Sequence, residues 1–158
     1  MTTERVPITP SGYRKLQEEL KRLKTVERPK VIQMIEYARS LGDLSENAEY
    51  ETAKQRQSFI EGRIQEVESK LARADVIDPE KITNKDRVVF GARVTIEDIE
   101  SGAILTYQLV GPDESDPEQG LISITSPIGR ALVGKRTDDE VQVKTPGGVR
   151  EFIVLSIE

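Results

Sequence analysis

Residues 40–50, SLGDLSENAEY, interrupt a run that otherwise reads as one long helical region. Four of these eleven positions, Asp43, Glu46, Asn47 and Glu49, carry a carboxylate or a carboxamide, and that concentration needs a reason. Gly42 offers a left-handed stop for one helix. Asp43 can cap the next, with Glu46 three residues on completing an acidic capping box. Acids also suit the positive end of a helix dipole. If the chain reverses here, everything on either side must pair, so the flanks decide the fold.

Upstream, from about Pro10 to Ser40, Tyr13, Leu16, Leu20 and Leu23 recur at steps of three and four, the spacing of a coiled-coil seam. Thr9 or Ser11 can cap the start. Pro29 removes a backbone donor and is predicted to bend or briefly interrupt the helix. The pattern resumes with Val31 or Ile32, then Ile35, Ala38 and Leu41. Downstream, Ala53, Gln57, Ile60, Ile64, Val67, Leu71 and Ala74 keep a strict four-three alternation. Folding back at Asp43 sets Leu20 against Val67, Leu16 against Leu71 and Ile35 against Ala53. The expectation is an antiparallel helical hairpin, roughly 45 Å long at ~1.5 Å per residue, with the acids at its far end. Gly62, which costs about 1 kcal/mol in a helix interior, is expected to permit close helix approach.

The helical pattern stops around Asp75–Thr83, with Pro79 marking the linker, so residues 1–78 read as one domain and 79–158 as another. The second half alternates with period two over Arg87–Ile96, Ile104–Val110, Leu121–Ile124, Val141–Lys144 and Arg150–Ile157. Gly111-Pro112, Pro117 and Pro146-Gly147-Gly148 supply turns. Ser126 to Gly134 reads as a short helix, capped by Ser126, with Pro127 first and Gly134 closing it. The predicted fold class is therefore α+β in two domains, a helical hairpin followed by a small domain with a mainly antiparallel sheet.

Composition narrows the chemistry. The chain of 158 residues has no cysteine and no histidine. Disulfides, thiolate catalysis, the usual general base and the commonest transition-metal ligands are all excluded. Carboxylates remain. Residues 1–78 carry 14 basic and 14 acidic side chains and 79–158 carry 9 and 14, so the second half holds the whole acidic excess. An acidic chain is a poor partner for duplex DNA, and no sequence-specific DNA binding is expected. No segment approaches the ~18 apolar residues of a membrane span, and the polar N-terminus lacks a signal-peptide core. Cytoplasmic residence is the expectation.

Glu49 and Tyr50 extend the polar tip beyond what capping requires. Paired carboxylates at the end of a rod could reach a deep site in another molecule. Hard cations such as magnesium take carboxylate oxygens, so Asp43 and Glu46 could complete a shared metal site. Two acids alone would hold magnesium weakly, and a partner would supply the other ligands.

The tip GDLSENAEY, followed by EGRIQEVESKLARADVID, SPIGRALVGK and TPGGVREF in that order, closely resembles the bacterial GreA/GreB family of transcript-cleavage factors. The resemblance runs from near Ile8 to the C-terminus. It implies an N-terminal coiled coil and an FKBP-like second domain. It further implies a non-enzymatic accessory factor that binds RNA polymerase, acts as a monomer and enters the secondary channel. There the tip approaches the polymerase's own catalytic site, and the polymerase hydrolyses the 3′ end of its backtracked transcript. Asp43 and Glu46 match the family's acids, which help hold a magnesium ion shared with the polymerase, none being expected on the isolated protein. Asn47, Glu49 and Tyr50 belong to the same motif in supporting roles. Arg39, Lys54 and Arg56 could form a small basic patch against the extruded RNA, or could be solvated coiled-coil charge. Ser126 to Gly134 and its flanking strands could pack beside the channel mouth.

Three other readings compete. The hairpin could serve an assembly or chaperone-like module whose tip acids only cap. The second domain could be a prolyl isomerase, although Phe90, Tyr107 and Phe152 are too few aromatics for a proline pocket. Related coiled-coil proteins bind the same channel and inhibit without cleaving. They differ at the tip, and the intact Asp43-x-x-Glu46 pair favours the cleavage-stimulating type.

Overall fold

The structure, a computed structural model, describes residues 4–43, 47–81 and 86–158. They form two compact units: Tyr13–Arg73, and the described residues up to Gly12 together with Ala74–Glu158.

The first unit is a helical hairpin. Helix α1 (Pro10–Arg22) passes through a five-residue π-turn (Leu23–Glu27) into α2 (Arg28–Ser40), so helical backbone continues from Pro10 to Ser40. The return arm is α3 (Ala48–Arg73). Pro29 explains the π-turn. Its ring would strike the carbonyl four residues back, and it has no N–H to donate. Widening the preceding turn, with the Arg28 N–H donating to the Leu23 carbonyl, relieves that conflict. Thr25 Oγ1 donates to the Lys21 carbonyl at 2.7 Å in the same stretch. The interruption expected at Pro29 is thus an inserted residue rather than a break. It also shifts the seam: Leu23 is followed by Val31, one residue more than a heptad, which is why Val31 is buried and Ile32 is 42% exposed.

Leu16, Leu23, Val31, Ile35 and Ala38 on the first arm are buried, as are Ala53, Ile60, Ile64 and Val67 on the second. Gln57 and Leu71 are half-buried, and Leu41 lies exposed beyond the seam. Two bidentate ion pairs staple the arms. Arg28 donates to both Glu61 oxygens at 2.7 and 2.9 Å, and Arg63 to both Glu19 oxygens at 2.6 and 2.7 Å. The Arg28 hydrogen bonds hold the Glu61 carboxyl below its ordinary range, against a smaller opposing effect of desolvation. Lys70 does the same for Glu66, with Arg63 assisting. Gly62 is exposed, and a Cβ built there meets nothing within 4 Å. The close helix approach expected at Gly62 is therefore absent.

In the second unit Thr9, not Ser11, caps the helix start, accepting from the Gly12 N–H at 3.1 Å. Thr9 is itself held by Glu114, whose carboxylate accepts from the Thr9 N–H at 2.8 Å and the Gly111 N–H at 2.9 Å. Strand β1 (Val6–Ile8) pairs in parallel with β2 (Ala74–Val76), so Ala74 leaves the helical seam. The expected boundary after residue 78 thus falls inside this unit, beyond the end of α3 at Arg73.

A five-stranded sheet follows, with spatial order β5-β4-β3-β7-β6. Its strands are β3 (Arg93–Asp98), β4 (Ile104–Val110), β5 (Leu121–Ser123), β6 (Glu140–Thr145) and β7 (Gly148–Ile157). Only the β4–β5 pair is parallel, so the sheet is mainly antiparallel, as the turn signals implied. Strand β3 starts at Arg93 rather than Arg87, because Gly91 reverses the chain at φ +83. Helix α4 (Pro127–Leu132) has the expected cap, Ser126 Oγ accepting from the Gly129 N–H at 3.1 Å. It adds Leu132 to a core of Val94, Ile96, Leu109, Val141, Phe152 and Val154. Among the described residues, no helix is long and apolar enough to cross a membrane.

Two stability predictions follow. Gly62→Ala should raise stability by about 0.5–1 kcal/mol, since helix propensity improves and nothing is displaced; a lower thermal midpoint would point to a role the neighbours do not reveal. Glu61 and Glu66 have depressed folded values, so their contribution is fully present above the ordinary glutamate range and is lost as pH falls through the folded values. Glu61→Gln should therefore flatten the acid limb of the unfolding-midpoint profile below about pH 4.5. An unchanged acid limb would contradict the staple.

Candidate functional site at the hairpin turn

Among the described residues, a glycine and an asparagine close the helix ends on either side of the turn. Helix α2 closes with the Leu41 N–H on the Ala38 carbonyl at 3.2 Å and the Gly42 N–H on the Arg39 carbonyl at 3.3 Å. Gly42 then takes φ +110, a conformation that suits glycine at a helix end. Asp43 follows and is exposed. Glu46 lies outside the described residues, so its expected place beside Asp43 has no structural account.

Helix α3 is capped by Asn47, and this corrects the expectation that Asp43 takes that position. The Asn47 Oδ1 accepts from the Tyr50 N–H at 3.1 Å, while its backbone carbonyl accepts from the Glu51 N–H at 3.1 Å. That is the N-cap geometry, and asparagine is among the best residues for it. The helix therefore begins four residues later than an Asp43 cap would require. The other end of the same side chain crosses to the first arm, Nδ2 donating to the Ala38 carbonyl at 2.6 Å. One side chain bonds to both helices.

Arg39 and Tyr50 add a second link across the turn, the guanidinium carbon standing 6.0 Å from the ring centroid, within cation–π range. Glu49 is exposed in the first turn of α3, where its charge complements the helix dipole. Lys54 lies one helical turn beyond Tyr50 on the same side, its Nζ 3.1 Å from Gln57 Oε1. Arg56, two residues further, is directed elsewhere. It sits 3.6 Å from Glu27 of the first arm and 5.6 Å over the Phe59 ring. The turn thus gathers Arg39, Asn47 and Tyr50, with Lys54 one turn along, and holds Arg56 apart.

Beside the turn, an open groove of about 490 Å³ runs between α2 and α3, lined by Lys30, Met34, Tyr37, Glu49 and Thr52 among others. Tyr37 is 62% exposed there. Sequence reasoning passed over this groove because Met34 and Tyr37 lie off the seam of Ile35 and Ala38, and periodicity marks only the seam. Among the described residues, no three acidic side chains gather as a metal cluster would. Asp43 by itself is a hard oxygen donor, suited to one position in a cation's shell and unable to hold it alone.

Two family models match the chain. Transcription elongation factor, N-terminal, covers residues 6–76, and Transcription elongation factor, GreA/GreB, C-term, covers residues 83–158. A relative named transcription elongation factor GreA from Alkalilimnicola ehrlichii is 55% identical over 153 residues, 97% of each chain. One of the same name from Syntrophotalea carbinolica is 56% identical over 155 residues, 98% of each chain. A solved structure, the GreA factor homolog 1 protein of Thermus thermophilus, is 31% identical, with 98% of this chain and 99% of that one covered and a TM-score of 0.45.

Proposed function

Since the chain belongs to the GreA/GreB family of transcription elongation factors, we propose that it binds RNA polymerase through the secondary channel and stimulates cleavage of backtracked transcripts. The hairpin is the inserted element, and the polymerase, not this chain, is the enzyme. The observation that carries the reading is the exposed Asp43 at a turn whose two helix ends are closed by Gly42 and Asn47.

A phosphodiester resists attack because charge builds on both the entering and the departing oxygen. When bound, a second magnesium supplies the charge that stabilises both oxygens. Asp43 and Glu46 are the residues of this chain that would hold it, the polymerase and the RNA phosphate supplying the remaining ligands. Carboxylates suit that task better than a base would, because magnesium prefers hard oxygen donors. Arg39, whose charge lies against the Tyr50 ring, and Lys54 offer cations to the extruded RNA backbone. Arg56 is a weaker candidate for that patch, since Glu27 already neutralises part of its charge.

The test uses a backtracked elongation complex carrying 3′-labelled RNA, with magnesium present. Wild-type chain should release short labelled fragments, and Asp43→Ala should slow release by roughly a hundredfold while still binding polymerase. Arg39→Ala should weaken stimulation a few-fold and reduce its salt dependence. If Asp43→Ala cleaves at the wild-type rate, the acid has no part in the chemistry. A wild type that binds without releasing fragments would instead indicate a channel-blocking factor.

A further inference from the structure

We propose that Asn47 is the positioning residue of the acidic turn, a role that rests on the transcript-cleavage reading above. The Asn47 side chain divides its labour between the two helices. Its oxygen caps α3 through the Tyr50 N–H, and its nitrogen donates to the Ala38 carbonyl in the last turn of α2. Ala38 is fully buried in the seam, at 0% exposure, so the accepting carbonyl belongs to a fixed part of the first arm. Asn47 immediately precedes α3, and Gly42, which ends α2, immediately precedes Asp43.

The consequence is geometric. Asp43 follows directly on the end of α2, and a single side chain ties that helix end to the start of α3. Without the Ala38 bond, the Arg39–Tyr50 contact still spans the turn, but the hydrogen bond that ties the last turn of α2 to the start of α3 is lost and that helix end frays more readily. Asp43, the first residue beyond Gly42, would then move with the fraying helix end. A ligand supplied to another molecule's metal site must arrive in place, because misplacement by about 1 Å can cost about a hundredfold in rate. Asn47 does not itself touch the cation or the RNA.

Asn47→Ser separates the two bonds. Serine is a good neutral cap and should keep the Tyr50 bond, but it is too short to reach the Ala38 carbonyl. In the full chain, hydrogen exchange at Leu41 and Gly42 should quicken while the thermal midpoint stays near that of the wild type. At saturating factor, transcript cleavage should fall roughly tenfold to a hundredfold, with the half-saturating factor concentration unchanged. Faster exchange with wild-type cleavage would make the bond merely structural and overturn the proposal. Wild-type exchange would overturn it as well, because the bond would then fix nothing. A silent wild type would remove the cleavage reading, and the exchange result would still report on the clamp itself.

Discussion

Neither arm of the hairpin can stand alone. Isolated helices draw little stability from propensity, and most of what holds them comes from burying one face. Here the face is a seam of Leu16, Leu23, Val31, Ile35 and Ala38 against Ala53, Ile60, Ile64 and Val67. The Arg28–Glu61 and Arg63–Glu19 pairs, half-buried and still in contact with water, contribute modestly, but their two-pronged geometry fixes which residues stand opposite. Once that register is set, the chain must reverse between Ser40 and Ala48. The turn is not an optional loop but the one place where the seam runs out.

That constraint explains how the turn is furnished. Reversing two helices leaves unsatisfied carbonyls at one end and unsatisfied N–H groups at the other. Gly42 closes the first end, and Asn47 closes the second while reaching back to the first. Arg39 and Tyr50 meet across the same gap. Asp43, exposed, follows directly on the helix end that Gly42 closes. The same logic accounts for Pro29. A proline in the first arm would ordinarily cost a helix dearly, yet the π-turn absorbs it by inserting one residue and leaves the seam intact beyond Val31.

Much of this was legible in the residues themselves. The three-and-four spacing located both arms and nearly all of the buried seam, since period is the strongest signal a helix leaves. Ser126-Pro127 and Gly134 marked α4 for the same kind of reason, local chemistry with a local consequence. What failed was non-local or degenerate. Asp43 and Asn47 are both strong caps, and nothing in their spacing says which of them α3 uses. Strands β1 and β2 are three residues each and pair across the whole hairpin, so neither segment announces its partner. The extension of β3 back to Arg87 ignored Gly91, whose positive φ turns the chain before the strand begins. At the site, Arg56 looked equivalent to Lys54 until Glu27, on the opposite arm, was seen to hold it. Side-chain partners contributed by another element are what periodicity cannot reveal.

The central claim is that a carboxylate of this turn enters the shell of a catalytic cation in another molecule. A donor swap tests it most directly, and the chain's lack of cysteine makes the swap clean. In Asp43→Cys the hard oxygen becomes a soft sulfur, which magnesium rejects and softer divalent ions accept. Cleavage of a backtracked transcript would be followed with magnesium alone and with small additions of manganese or cadmium. The account predicts that the variant is inactive in magnesium and recovers with the softer ion, beyond any effect of that ion on Asp43→Ala. Equal activity of the two variants under every metal condition would contradict it.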